Sequence, residues 1–222
     1  MKAVISGLLL SELEDILSGF EEKEGFFIKD DTIFVFRHGK NKTIPPHMIN
    51  HKTNISYLKN LNVEYIISIN SVGSLKEKIT PDDFLIPDDY ISLWDIPTFY
   101  DKKIVHVIPS LDGNVRKIIL EKAKSSGIEP IDGGVYVQTR GPRFETKAEI
   151  RFLKTIGDVV GMTMASEATI ANELDIPYAS LCLVDNWANG IKEEPLSLEK
   201  IKETQKKKLS SLKKFLSGIL LG

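Results

Sequence analysis

The chain has 222 residues, enough for one sizeable domain with a substantial core. Hydrophobic residues make up 42% of it, charged residues 27%, and the net charge is −2, which excludes a disordered chain and does not favour a nucleic-acid-binding protein. A single cysteine, Cys182, excludes an intrachain disulfide and a multi-cysteine zinc site.

Seven short runs of apolar and β-branched residues, each bounded by polar, glycine or proline residues, are typical of buried strands. In chain order they are Ala3–Ile5, Thr32–Phe36, Tyr65–Ile69, Ile104–Ile108, Val135–Gln138, Val159–Gly161 and Tyr178–Val184. The first apolar run soon meets acidic residues and is too short to cross a membrane. We therefore expect a soluble, cytoplasmic protein that does not bind membranes.

Helical patterns follow several of these runs. They are predicted over Asn114–Ser125, after the capping-box spacing of Thr146 and Glu149, and over Ser166–Leu174. The clearest helix is the last one, where apolar spacing is typical of a helix packed on a sheet and includes Leu198, Ile201, Gln205, Leu209, Leu212, Leu216 and Ile219. Strands that alternate with helices predict one α/β domain over residues 1–222 with a largely parallel sheet.

Polar residues follow four of the predicted strands, at the place where ligands gather in α/β proteins. Arg37 offers a fork that suits phosphate, and His38 a donor whose charge is adjustable. Small residues at Asn70 and Ser71 would let backbone N–H groups approach an anion. Each pattern also fits an ordinary surface residue or turn.

Two further clusters fit a ligand or a purely structural role. Met162 can form the floor of a sugar site and Thr163 can donate to phosphate, although a core methionine and a helix-capping threonine are equally typical. Glu167 could interact with the helix dipole or accept from sugar hydroxyls. The short polar side chains of residues 185–190 follow the longest apolar strand and favour recognition of a ligand edge, or an Asx-rich turn.

The stretch "GPRFET" places an aromatic ring, Phe144, beside a carboxylate, Glu145. It indicates either a turn with a core phenylalanine or a pocket for a flat ligand with polar edges. No Walker loop, dinucleotide fingerprint or zinc-ligand spacing accompanies these clusters, so we expect no metal and no cofactor.

Taken together, these stretches resemble the trimeric purine nucleoside phosphorylase and methylthioadenosine phosphorylase family, closest to its methylthioinosine phosphorylase branch. The resemblance rests on "RHG" at Arg37, "TIPPHMIN", "NSVGSL", "ITPDDFLIPDDYI", "GGVYVQTRGPRFETKAEIRFLKTIGDVVGMT", "SEATIANELDIPYAS" and "DNWANGI". It implies a single domain with a central, mixed, partly barrel-like sheet surrounded by helices. It also implies a homotrimer or dimer of trimers that acts in purine salvage, with inorganic phosphate as co-substrate.

The resemblance implies a role for each cluster. Phosphate would be held by Arg37, His38, Asn70, Ser71 and Thr163. The nucleoside would contact Phe144, Glu145, Met162, Asn186, Trp187 and Ala188, with Asn186 and His38 as catalytic residues.

The hydrogen-bond donors and acceptors of the base then favour a 6-oxopurine substrate over adenine. Glu145 can accept from N1–H of a 6-oxopurine, and Asn186 can pair with O6 and N7. Adenine presents a lone pair at N1, so buried groups would stay unpaired at a cost of ~1–3 kcal/mol. An apolar residue near Leu198 suits a 5′-methylthio group. The first choice is 5′-methylthioinosine, although Leu198 also fits the core stripe of the last helix.

The match is incomplete at the N-terminal phosphate loop of the family, where only Gly7 fits. The alternatives are therefore a non-catalytic nucleoside-binding paralogue, a hydrolytic nucleosidase, or a phosphorylase of inosine, guanosine or methylthioadenosine.

Overall fold

A computed structural model describes residues 1–8, 10–94 and 97–221 of the chain. In that part the strands are Lys2–Ser6 (β1), Glu21–Lys23 (β2), Phe26–Lys29 (β3), Thr32–Phe36 (β4), Tyr65–Ser74 (β5), Phe84–Ile86 (β6), Asp89–Ser92 (β7), Ile131–Asp132 (β8), Val135–Gln138 (β9), Val159–Gly161 (β10) and Tyr178–Trp187 (β11). The α-helices are His51–Asn60 (α1), Gly113–Ser125 (α2), Lys147–Leu153 (α3), Met164–Glu173 (α4) and Leu198–Leu220 (α5).

All these strands join one mixed sheet that branches at β5. The main path runs β2-β3-β4-β1-β5-β10-β9-β7, and β11, β6 and β8 extend from β5 on a second path. β5 pairs in parallel with β1 and β11, and its last residues pair antiparallel with β10. The predicted mixed α/β fold is confirmed.

The sheet is buried on both faces, which explains why its central strands read as continuous apolar runs. In β1, Ala3 and Ile5 belong to one hydrophobic cluster and Val4 belongs to the other. Residues of α1 and α4 contribute to the first cluster, and residues of α2 and α5 to the second. Because side chains alternate along a strand, each central strand contributes residues to both hydrophobic clusters.

The predicted helices are present, with clear caps. Asp112 accepts from the backbone N–H of Val115 at the start of α2, and Thr146 and Glu149 form the predicted capping box of α3. Ser197 caps α5, and the apolar stripe of α5 is buried at Ile201, Leu212, Leu216 and Ile219 but only half-buried at Leu209. None of the described helices is long and apolar enough to cross a membrane.

The predicted strand Ile104–Ile108 is wrong. These residues pair with no strand in the described part of the chain, and Ile104 and Ile108 are each 91% exposed. Apolar β-branched residues were interpreted as buried because exposure of such a run is uncommon in an isolated chain.

Candidate active site

A cavity of about 520 Å³ lies where several strands end. Since β1, β4, β5 and β11 run parallel, the residues that follow or close them meet at one edge of the sheet. Most of the predicted site residues line this cavity, namely Arg37, His38, Ser71, Phe144, Glu145, Met162, Thr163, Asn186, Ala188 and Leu198. Asn70 and Trp187 do not.

The guanidinium of Arg37 is buried and faces Glu167 rather than open space. Its Nε donates to Glu167 Oε1 at 2.6 Å, Nη1 donates to the Ile69 carbonyl at 2.7 Å, and Nη2 donates to Ser68 Oγ at 2.6 Å. Nη2 also lies 3.3 Å from the carbonyl of Ile5 and from Glu167 Oε2. Of the five N–H groups of an arginine, one Nη1 hydrogen is left over. The fork predicted for phosphate is therefore mostly committed.

The nitrogen that carries the remaining hydrogen, Nη1, lies beside Gly7. A Cβ at Gly7 would lie 3.1 Å from Nη1 of Arg37, so the absence of a side chain leaves that nitrogen accessible from the cavity. Burial opposes the charge of Arg37, but the facing carboxylate of Glu167 raises its pKa above the ordinary value. One charged N–H group, rather than a bidentate fork, is presented to a ligand.

Glu167 sits at the centre of a buried network and does not line the cavity. Its carboxylate accepts from Arg37, from Ser68 at 2.7 Å and from the hydroxyl of Tyr178 at 2.8 Å. Burial alone would raise the pKa of Glu167, but Arg37 holds it below the ordinary value. Of the two interpretations of Glu167, contact with sugar hydroxyls is not supported, because these partners occupy the carboxylate.

His38 is a neutral acceptor. Its Nδ1 lies 2.8 Å from the carbonyl oxygen of Ile44, which can only accept, so Nδ1 carries the hydrogen and Nε2 has the lone pair. Burial, and then the charge of Arg37, lower the pKa of His38 to about 4. Nε2 faces Gly7, 3.7 Å from the position of a Cβ there. His38 can thus accept the hydroxyl hydrogen of hydrogenphosphate.

The hydroxyl of Thr163 can donate to a ligand, because Asn70 donates to its oxygen and no described group accepts its hydrogen. Asn70 Nδ2 donates to Thr163 Oγ1 at 2.9 Å, which leaves the hydroxyl hydrogen free for the cavity. The Tyr136 hydroxyl accepts from the backbone N–H groups of Thr163 and Met164, at 3.2 and 3.3 Å. Thr163 occupies the N-cap position of α4 but makes no side-chain cap, so the helix-capping interpretation is wrong.

Asn70 does not line the cavity but holds Thr163, which does. Its Oδ1 accepts from the hydroxyl of Ser180 at 2.7 Å, which fixes the orientation of the carboxamide. With Nδ2 on Thr163, Asn70 orients a donor rather than contacting phosphate itself.

The hydroxyl of Ser71 is committed to a neighbouring carboxylate. It donates to Oδ2 of Asp185, and Gln205 Nε2 donates to the same oxygen at 2.7 Å. Asp185 is 2% exposed, and burial raises its pKa. Its Oδ1 has no partner among the described residues. The structure does not support the expected donation from the Ser71 side chain to phosphate.

Phe144 and Glu145 form the opposite wall of the cavity. Glu145 is 7% exposed, and its Oε1 accepts from Thr139 Oγ1 at 2.5 Å. Asn189 Nδ2 donates to the backbone oxygen of Glu145 at 3.0 Å, which ties this loop to the end of β11. Phe144 is 41% exposed and lines the cavity, so its ring is open to a ligand. The pocket interpretation of "GPRFET" is the one this geometry favours.

The residues after β11 divide between two sides. Asn186 Nδ2 donates to the carbonyl of Trp187 at 2.9 Å and would lie 3.1 Å from a Cβ at Gly73, so this glycine lets the amide approach the strand. Ala188 lines the cavity beside it. The Trp187 ring lies outside, with the ammonium of Lys192 5.5 Å from its centre. The structure does not support the expected contact of Trp187 with substrate.

One end of the cavity is apolar. Leu196, Leu198 and Ile201 line it, and Leu198 is 63% exposed, so it does not belong to the core stripe of α5. Sequence reasoning missed several other lining residues, among them Lys42, Lys202 and Gln205. Gln205 had a signal, because it is the one polar residue among the apolar positions assigned to α5.

The described residues contain no group of three histidine, cysteine or acidic side chains that could hold a metal ion. The chemistry available in the cavity comes from one arginine N–H group, the His38 imidazole, two lysine ammonium groups, hydroxyl and amide groups, and carboxylates. This set suits an oxyanion at one end and the edge of a base at the other.

Known proteins of one family are similar to this chain. The Phosphorylase superfamily profile matches residues 12–221. A probable 6-oxopurine nucleoside phosphorylase of Archaeoglobus fulgidus is 48% identical over 79% of this chain and 73% of that protein. A probable S-methyl-5′-thioinosine phosphorylase of Methanocaldococcus jannaschii is 43% identical over 96% of this chain and 88% of that protein.

A solved structure shares the fold. Methylthioadenosine phosphorylase from Schistosoma mansoni, in complex with adenine, has a TM-score of 0.84 at 23% identity and covers 99% of this chain and 90% of its own. At this identity the likeness shows the fold alone. The profile match and the two relatives carry the assignment: the chain belongs to the phosphorylase superfamily.

Proposed function

We propose that the protein is a purine nucleoside phosphorylase that cleaves the N-glycosidic bond of a 6-oxopurine nucleoside with phosphate. The first-choice substrate is 5′-methylthioinosine, which gives hypoxanthine and methylthioribose 1-phosphate. The proposed reaction uses inorganic phosphate as co-substrate and needs no metal or other cofactor. Family membership and the names of the two relatives support this reaction class.

The observation that carries the base preference is the buried carboxylate of Glu145. Thr139 binds one of its oxygens, and the other is available to accept from N1–H of a 6-oxopurine. Adenine has no hydrogen at N1, so the same oxygen would face a lone pair. A site built to accept a hydrogen bond rejects the analogue that lacks it, because a buried polar group is left unpaired.

Asn186 supports the same preference from the other wall. One hydrogen of its amide is bound by the Trp187 carbonyl, and the second hydrogen and the amide oxygen have no partner among the described residues. During cleavage the purine gains negative charge, so a hydrogen bond at N7 or O6 strengthens in the transition state. Asn186 is the proposed catalytic residue on the leaving base.

At the other end, phosphate attacks the anomeric carbon as the sugar gains oxocarbenium character. Thr163 and Nη1 of Arg37 donate to its oxygens, and His38 Nε2 accepts its hydroxyl hydrogen. This acceptance requires the neutral form of His38, which the lowered pKa, about 4, provides. The remaining phosphate oxygens are then free to act as the nucleophile, positioned by groups that hydrogen bonds to Ile44 and Asn70 hold in place.

The sugar end allows two substrates. Leu196, Leu198 and Ile201 suit a methylthio group, because burying a hydroxyl against them would leave it unpaired. One observation favours inosine as a second candidate. Both Nε2 hydrogens of Gln205 are directed to Asp185 and Ser71, so its amide oxygen remains as an acceptor for a sugar hydroxyl.

The decisive experiment follows free base after incubation with methylthioinosine, inosine or methylthioadenosine, each with and without phosphate. We expect phosphate-dependent release of hypoxanthine, fastest from methylthioinosine. Faster release of adenine from methylthioadenosine would contradict the role of Glu145. Release without phosphate would indicate a nucleosidase, and binding without turnover would indicate a non-catalytic paralogue.

We also propose that the protein is a homotrimer or a dimer of trimers, as the family resemblance implies. The apolar segment 104–108 supports self-association, since an isolated chain rarely exposes two isoleucines almost fully. Replacing Ile104 and Ile108 together with lysine should shift the mass measured by light scattering from a trimer multiple to a monomer. Replacing the exposed Lys102 and Lys103 with alanine is the matched control. A wild-type monomer would contradict the proposal.

A further inference from the structure

The turn that follows β4 contains two lysines in different surroundings. The ammonium of Lys40 pairs with the Glu22 carboxylate at 2.8 Å on the surface. Lys42 lines the active-site cavity and forms no ion pair with a described residue. A cation at the wall of a cavity, without a protein carboxylate to offset it, is available for an anionic ligand.

The backbone of this turn holds Lys42 at the cavity. Lys42 N–H donates to the Gly39 carbonyl at 2.9 Å, and Ile44 N–H donates to the His38 carbonyl at 3.0 Å. The His38 ring closes the turn again through the Ile44 carbonyl. Lys42 has a φ of 52°, a left-handed conformation that a residue with a side chain keeps where surrounding bonds fix it. The Cα of Lys42 is therefore held while its long side chain can still reach inward.

The phosphate end lacks net positive charge without Lys42. The charge of Arg37 is offset by Glu167, His38 is neutral, and Thr163 is uncharged. Asp185 adds negative charge whenever it is ionised. A phosphate dianion placed there would meet hydrogen-bond donors but no uncompensated cation, and a poorly compensated charge in a partly buried site is costly.

Lys42 lies near enough to act on this end. Its charge contributes to the lowered pKa of His38, after burial and Arg37, and it slightly opposes the rise that burial causes in the Asp185 pKa. Lys202 also lines the cavity, but it belongs to α5 beside the apolar Ile201. Of the two lysines on the turn that carries the proposed phosphate ligand His38, Lys42 is the one that lines the cavity.

We propose that Lys42 is the phosphate-binding cation of this site. It supplies positive charge that Arg37 cannot supply, because Glu167 offsets the charge of Arg37. This inference rests on the proposed function, since it takes phosphate as the anion. A flexible ammonium that closes over the bound anion would combine with the fixed donors of Thr163 and Arg37. It would also stand in for the phosphate loop of the family, of which only Gly7 is matched.

The test is calorimetric titration of the full chain with inorganic phosphate, without nucleoside. Lys42→Ala should bind phosphate about tenfold more weakly than wild type, as expected for loss of one charge-assisted contact. Lys42→Arg should restore most of the affinity, and Lys40→Ala, which removes a paired lysine from the same turn, should leave it unchanged. Rising salt should weaken phosphate binding more in wild type than in Lys42→Ala.

Equal phosphate affinity in Lys42→Ala and wild type would overturn the inference, and so would a wild-type chain that binds no phosphate. Steady-state assays separate this from the proposed function. If wild type cleaves nucleoside and Lys42→Ala keeps the same KM for phosphate, only the Lys42 role fails. If no nucleoside is cleaved but phosphate binding still depends on Lys42, the inference stands and the phosphorylase assignment fails.

Discussion

The two ends of the cavity differ in how far residue type alone reveals their chemistry. At the proposed base end, Glu145 keeps a carboxylate oxygen free, and Asn186 keeps one amide hydrogen and its amide oxygen free. At the proposed phosphate end, Arg37 and Ser71 have the expected donors, but neighbouring protein groups take most of them. A side chain contributes to a site only what its protein partners leave unused.

The largest expected effect comes from removing the partner of Arg37. Glu167→Ala would leave a buried guanidinium without its carboxylate, which should lower the free energy of unfolding by about 3–5 kcal/mol. Urea unfolding followed by circular dichroism measures it, and Glu199→Ala on the surface of α5 is the control. A loss below about 1 kcal/mol would mean that the Arg37–Glu167 pair contributes no more to stability than a surface ion pair does.

A smaller effect, on catalysis rather than folding, is expected at the base end. Glu145→Gln keeps the shape but weakens the contact with N1–H, so kcat/KM for 6-oxopurine nucleosides should fall about thirtyfold, or ~2 kcal/mol. Exposed Glu129→Gln is the control, and unfolding by urea should hardly change. An equal loss on adenine nucleosides would show that Glu145 does not select the base.

The smallest effect is a pH dependence at the buried histidine of α1. Burial lowers the pKa of His51 from 6.5 to about 4, so the unfolded chain binds the proton more tightly. The contribution to stability is present above the unfolded pKa and is lost as pH falls from about 6.5 towards 4. Between about pH 7 and pH 5.5 wild type should lose ~1 kcal/mol more than His51→Asn. Parallel stability curves for the two proteins would contradict this.

Much of the fold could be predicted because its central strands are long enough to show a pattern. The runs at β1, β4, β5 and β11, and the caps of α2 and α3, carry clear local signals. β6 has only three residues, too few for periodicity, and Phe26 and Phe27 of β3 lie among charged residues although both are buried. The composition of Ile104–Ile108 predicts a buried strand, but the run is exposed, because local composition does not show what covers a segment.

The sequence allows the residue types of the site to be predicted, but not the protein groups to which those residues are hydrogen-bonded. Arg37 and Glu167 are 130 positions apart in the chain, and nothing local to either one indicates the pair. The same holds for Ser71 and Asp185, 114 positions apart. Lys42 carried no signal at all, because a lysine in a polar turn is ordinary.

The start of α4 has a wider consequence. The Tyr136 hydroxyl accepts from the backbone N–H groups of Thr163 and Met164, and Gln138 Oε1 accepts from the N–H of Ser166, which a threonine at the N-cap position usually binds. Two buried side chains that do not line the cavity thereby leave the hydroxyl of Thr163 available. Gln138→Leu would leave the N–H of Ser166 for Thr163 to cap and, under the proposed function, weaken phosphate binding without a change in the residues that line the cavity. Under that function, phosphate affinity depends on residues one layer behind those that touch the ligand.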